Sequence, residues 1–152
     1  MRKNLFLPLL MAALGFAPAP VFRENLDPAS ARKQLQGIWS MSRYDRDGRT
    51  MILEREVYTV TIEKGRWTFF ISRKGSPLTK RSTFTLKLTP KIGQMEIDLV
   101  QGKTRALLGV YDLKGDRLRI VFRATTDGTE ERACDLTNPA PGDEFLELER
   151  KP

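Results

Sequence analysis

The chain reads as an all-β protein: an eight-stranded, up-and-down, antiparallel barrel preceded by one short helix. Three observations predict this. Beyond residue 37, apolar residues recur mostly at every second position, the period of a half-buried strand. About eight such runs follow one another, joined by short glycine-bearing links. Only one long link, 124–143, interrupts them, and a Greek-key sandwich needs long crossovers, so nearest-neighbour hairpins favour a barrel.

The helix comes first. In Asp27-Pro28-Ala-Ser-Ala-Arg-Lys-Gln-Leu-Gln36, the aspartate suits the cap and proline the first turn, and Gly37 can end the run. Leu35 is its apolar contact. The first strand is expected over 38–45, with Trp39 and Met41 on one face, and 46–49 turns the chain. The stretch 51–56 fits either a helical turn or a strand start. Strands at 57–63 and 66–72 are joined by Lys64-Gly65, a two-residue hairpin signal. A loop at 73–79 leads to a strand at 81–88, a turn at 89–93 and a strand at 94–100. The remaining strands are expected at 105–113, 117–123 and 144–150. The inward set is Trp39, Met41, Tyr58, Val60, Ile62, Trp67, Phe69, Ile71, Phe84, Leu86, Leu88, Leu118, Ile120, Phe122, Leu146 and Leu148.

Residues 1–19 differ from the rest. A basic start (Arg2-Lys3), an apolar run at 5–16 and small residues at Ala17 and Ala19 form the pattern of a secretory signal peptide. The apolar run is too short for a membrane-spanning helix and contains Pro8. Cleavage after Ala17-Pro18-Ala19 and after Ala13-Leu14-Gly15 both fit. Residues 20–36 then form an N-terminal segment and 37–150 the barrel. The expected location is outside the cytoplasm, periplasmic or extracellular. Cys134 is the single cysteine, so no intramolecular disulfide can form, and a buried, inert thiol is its simplest role.

The chain has no histidine. Ser-His-Asp and Cys-His catalysis are thereby excluded, as is the commonest nitrogen ligand of zinc. No carboxylate pair is positioned for acid–base work, so no enzymatic activity, cofactor or metal is expected. Net charge is +7, unevenly spread. Between Lys64 and Met95 stand eight basic residues and no acidic one, whereas 130–149 is strongly acidic. These stretches predict a positive and a negative flank. On the positive flank Lys74, Lys80, Arg81 and Lys87 are the candidates for binding an anion, against the plainer reading of solvated strand faces and guarded edges. Nucleic acid is not expected, because no repeated aromatic pattern accompanies the charge.

Gly37-Ile38-Trp39 opens the first strand beside the helix. Trp39 either lines a cavity or closes the barrel end, and its place beside the helix favours closure. Arg150 is in phase with Leu146 and Leu148, and the last strand of a closed barrel pairs with the first. A stack of Arg150 on Trp39 follows, with Gly37 completing the base. An eight-stranded interior is either filled or holds one small ligand. Tyr58, Phe69, Phe84 and Phe122 would line such a cavity, with Arg43 and Tyr111 at its rim, at the end away from Trp39.

Leu35-Gln-Gly37-Ile-Trp39, the Asp47-Gly48 turn, Gly109-Val-Tyr111-Asp-Leu-Lys-Gly115-Asp116-Arg-Leu118 and Leu146-Glu-Leu148-Glu-Arg150 resemble the uncharacterised lipocalin-like domains of exported planctomycete proteins. The resemblance spans about 35–150. It implies a small calycin-type barrel in which the tryptophan and a C-terminal arginine pack at the closed end, and it implies no agreed activity. True lipocalins carry a disulfide and a C-terminal helix, and neither is expected here. The resulting expectation is a monomeric, exported binding module for an apolar or amphipathic small molecule. The alternative is a cell-envelope module that binds a protein or polyanion through the basic flank.

Overall fold

Asp27 begins the helix as expected. Its carboxylate accepts from the Ala29 amide at 2.7 Å and from the Ser30 hydroxyl at 2.5 Å. Helix α1 (Pro28–Leu35) buries Ala31 and Leu35 and turns its other side chains to solvent. The structure is a computed structural model. It describes residues 27–51, 56–73, 75–91, 93–103, 105–125, 131–133 and 135–152. The expected signal sequence, most of 51–56, Lys74 and Cys134 lie outside the described residues.

The strands are β1 (Gly37–Arg46), β2 (Arg49–Thr50), β3 (Glu56–Glu63), β4 (Arg66–Arg73), β5 (Thr79–Lys91), β6 (Gln94–Gln101), β7 (Arg105–Lys114), β8 (Arg117–Thr125) and β9 (Asp143–Arg150). All pairings are antiparallel, in the order β1-β3-β4-β5-β6-β7-β8-β9. β9 pairs back onto β1, which closes an eight-stranded, lipocalin-like barrel. The two-residue β2 is an addition that pairs only with β1.

The interior is built from alternate residues of every barrel strand. Trp39, Val60, Ile62, Trp67, Ile97, Leu99, Leu118, Ile120, Phe122 and Leu148 are all essentially inaccessible. Full burial of a side chain of this size contributes about 1.5–3 kcal/mol. Tyr58 and Ile71, near the starts and ends of their strands, are only half-buried.

Three local departures from simple alternation matter. In β1 the register shifts between Met41 and Arg43, so Ser42 is an extra residue. Arg43 then faces outward and Tyr44 inward, the reverse of strict alternation. In β5 the strand continues through Pro90 and Lys91, where a turn was expected, and pairs them with Met95 and Gln94. β4 is paired with β5 only as far as Thr85, so Pro90 lies on a locally free edge where its missing N–H costs nothing. A second shift opposite Phe69 and Phe70 leaves Arg81 unpaired in β5.

The two ends differ. One end carries α1, the Lys64-Gly65 turn and the β5–β6 and β7–β8 hairpins. The other carries the β1–β2 hairpin, the link before β5 and the β6–β7 hairpin. Outside the barrel, the segment around Ala133 and Leu136 packs on Val110 and Val121. Arg132 fixes it by pairing with Asp98, by approaching Glu96 at 3.5 Å and by donating to the Gly109 carbonyl at 3.0 Å.

Candidate functional site

At the helix end, Trp39 is fully buried and its indole N–H donates to the Leu35 carbonyl at 2.9 Å. The Arg150 guanidinium lies over the ring, 4.2 Å from its centroid. The same guanidinium donates to the carbonyls of Gln34 at 2.6 Å and Gln36 at 2.5 Å, and to Asp116 at 3.0 Å. It therefore supplies donors to carbonyls that the end of α1 leaves without helical partners. A β-carbon on Gly37 would lie 2.9 Å from Nη1 of Arg150, and Gly37 has φ +138°, so this close approach requires glycine.

Beside this base a cleft of about 590 Å³ opens between α1, the β5–β6 overhang, the end of β7 and the 136–137 segment. Its apolar lining includes Pro90, Met95, Leu113 and Leu136. Its polar lining includes Gln34, Gln94, Lys91 and Tyr111. Asp112, Arg119 and Lys114 also line it but are engaged with one another, at 2.8 Å for Arg119–Asp112 and 3.3 Å for Lys114–Asp112. Tyr111 is 8% exposed, and its hydroxyl makes no hydrogen bond among the described residues. Burial pushes its phenol up to about 12. It is a neutral donor held in the wall of an open cleft.

Sequence reasoning expected any cavity at the other end, away from Trp39. The β5 overhang is what creates the cleft here. Beyond Thr85 the strand has lost its β4 neighbour, and α1 does not fill the whole corner. Strand length cannot be read from alternation alone once a proline is included, so this feature had no clear sequence signal.

The other proposed ligand residues do not gather at one site. Phe69 and Phe84 meet edge to face at 6.1 Å, and Trp67 bridges Phe69 at 5.7 Å and Phe122 at 6.3 Å. These four rings form an aromatic block in the barrel interior. Within it the Trp67 indole N–H is buried without a hydrogen-bond partner among the described residues. Tyr58 sits nearer the far mouth, where its hydroxyl donates to Glu56 at 2.6 Å and Glu56 approaches Arg73 at 3.7 Å. That hydrogen bond, with lesser burial, raises the Tyr58 phenol above its ordinary range. Arg43, expected at a cavity rim, lies on the outer wall instead. It pairs with Asp45 at 2.5 Å and lies 5.4 Å from the Phe145 ring, because the Ser42 bulge reversed its facing.

The candidate anion ligands also separate. Lys80 and Arg81 are exposed at the far mouth, whereas Lys87 is exposed on the outer wall opposite Asp98. The expected acidic flank is largely neutralised. Glu147 meets Arg117 at 2.7 Å, Asp143 meets Arg123 at 2.8 Å and Glu144 lies 3.8 Å from Arg46. The charge count along the chain missed this because the β8 arginines become neighbours of the β9 carboxylates only when the two strands pair. Among the described residues no group of three His, Cys, Asp or Glu side chains is placed to hold a metal ion. No helix among them is long and apolar enough to cross a membrane.

No protein-family profile matches this chain. No curated protein matches it either. Two solved structures show a likeness to this chain. The apo crystal structure of lipid binding protein 8 from Caenorhabditis elegans is 10% identical, covers 78% of this chain and 96% of its own, and has a TM-score of 0.38. A secretory abundant heat soluble protein from Ramazzottius varieornatus is 12% identical, covers 77% and 95%, and has a TM-score of 0.37.

Proposed function

We propose that this protein is a non-catalytic binding module for a small amphipathic molecule, held in the cleft beside Tyr111. The observation that carries the reading is Tyr111, a residue only 8% exposed that lines a 590 Å³ cleft and whose accessible hydroxyl has no protein partner among the described residues. A hydroxyl with no protein partner is open to a ligand's acceptor in place of water, and the apolar lining beside it favours being covered. A ligand that accepts this hydrogen bond while laying apolar surface on Met95, Leu113 and Leu136 meets both demands. The volume is in the range of ordinary small-molecule sites. Lys91 gives such a ligand's acceptor end a nearby cation.

Export from the cytoplasm belongs to the same reading. It rests on the signal-like pattern of 1–19. Membership of the lipocalin-like domains of planctomycetes likewise rests on the motifs alone. The alternative role, a polyanion held along the basic flank, is the weaker reading, since Lys80 and Arg81 stand at the far mouth while Lys87 lies well along β5 from them, opposite Asp98.

Native mass spectrometry of protein purified from its own source tests the proposal. A retained small molecule is expected. Tyr111→Phe should weaken its binding by roughly tenfold, the worth of one hydrogen bond. A clean ligand-free mass, with no heat of binding across a panel of fatty acids, quinones and sterols, rejects the reading.

A further inference from the structure

Three of the large apolar side chains that remain exposed lie at the end of the barrel opposite α1. Met51 is 47% exposed just after β2, Val57 is 45% exposed at the start of β3, and Leu78 is 55% exposed just before β5. They come from three different segments at that end of the barrel. Basic residues share that end: Arg46, Arg49, Arg73, Lys80, Arg81 and Lys103.

Asp47 stands exposed in the β1–β2 turn, whereas three other described carboxylates near that end are committed. Glu56 accepts from Tyr58 and approaches Arg73. Glu144 accepts from Tyr44 at 3.0 Å and approaches Arg46. Asp45 is paired with Arg43. The guanidinium-bearing side chains of Arg46 and Arg73 nevertheless stay 61% and 80% exposed, so both still face solvent.

We propose that this mouth is a docking surface for an anionic phospholipid bilayer. Charge complementarity identifies the partner's sign. The small number of exposed apolar side chains identifies its texture. A protein partner needs a contiguous apolar centre that packs tightly and excludes water. Met51, Val57 and Leu78 are only three side chains, on separate segments and with basic residues at the same end, and headgroups rearrange around such apolar wedges and accept them singly. A dissolved polyanion would use the cations and leave the exposed apolar residues without a role. The inference is independent of the Tyr111 cleft, which lies at the other end and can fail without affecting it.

The test uses the full chain with vesicles of phosphatidylcholine, with and without phosphatidylserine. Cosedimentation is expected only with phosphatidylserine present, and added salt should weaken it. The apolar run at 5–16 stays in every variant, so its own contribution cancels in the comparison. Lys80→Glu/Arg81→Glu should lower partitioning by about tenfold or more. Lys64→Glu/Arg66→Glu, exposed at the opposite end, should leave it unchanged. Leu78→Trp should shift its emission to the blue when anionic vesicles are added. Three results would overturn the proposal: equal partitioning of the two charge variants, a Leu78→Trp emission that ignores vesicles, or polyphosphate binding with no affinity for vesicles.

Discussion

The Arg150 guanidinium stacks 4.2 Å above the Trp39 ring while donating to two carbonyls at the end of α1. One side chain thus joins the last strand, the first strand and the helix. Charge-assisted hydrogen bonds contribute about 1.5–3 kcal/mol each, and a desolvated cation–π contact up to about 2 kcal/mol. The contributions share one group and do not add in full. Arg150→Ala should therefore cost about 3 kcal/mol in urea unfolding. Arg150→Lys should recover less than half, since an ammonium cannot reach both carbonyls and cover the ring. Full recovery by lysine would show that charge alone matters there.

Two glycines stand where a methyl group has no room. On Gly109 a β-carbon would lie 1.9 Å from the Val121 carbonyl oxygen and 2.9 Å from Phe122 Cδ1. Relief requires β7 to move away from β8. On Gly37 the obstacle is the movable tip of Arg150, although φ +138° adds backbone strain. Gly109→Ala should therefore destabilise more than Gly37→Ala, by roughly 3 kcal/mol or more against 1–3 kcal/mol. The reverse order in thermal unfolding would contradict the contact geometry.

The two tryptophans are equally buried but differently satisfied. Trp39 donates to Leu35, and Trp67 donates to nothing among the described residues. Replacing either by phenylalanine removes similar volume. At position 67 the change also removes an unsatisfied donor, which offsets about 1–3 kcal/mol of the loss. At position 39 it instead strands a carbonyl and shrinks the face under Arg150. Trp39→Phe should be the more damaging by about 1–2 kcal/mol in denaturant midpoint analysis. Equal losses would indicate that Trp67 has found an acceptor.

Alkaline titration should separate the tyrosines. Tyr44 and Tyr111 are both pushed up to about 12, each chiefly by burial, and Tyr44 additionally by the Glu144 carboxylate. Their unfolded value is near 10. Folding stability from these groups is thus intact below pH 10. It is lost as pH rises toward 12, because the unfolded chain releases its protons first. Absorbance at the phenolate band should rise late in the folded protein and near pH 10 in denaturant. Two normal transitions in the folded state would contradict the burial of these phenols.

The alternation of β3, β4, β8 and β9 was plain in the sequence because large apolar residues recur at every second position in each, with mostly charged or hydroxylated residues between them and Phe70, Val121 and Phe145 among the exceptions. Pairing of the last strand with the first, together with the phase of Arg150, was enough to bring it to Trp39. The facing of Arg43 was not legible, since the Ser42 bulge leaves no mark in a run of small and polar residues. The cleft was not legible either. It depends on β5 outrunning β4 and on the placement of the 136–137 segment, both of which are tertiary facts. Tyr111 could be identified as a polar group at a rim, but not the rim to which it belongs.

The Arg150 clamp also sets an order of events. Its bond to the Gln36 carbonyl spans 114 positions of sequence, and the β1–β9 ladder spans nearly as many. A nascent chain can zip β3 through β8 by neighbouring hairpins as it emerges, each closing a short loop. β1 cannot gain its second neighbour, nor α1 its arginine, until β9 has been made. Until then the growing sheet has two open edges and an uncovered aromatic interior, so the interval before Arg150 arrives is when the folding chain exposes most surface to aggregation.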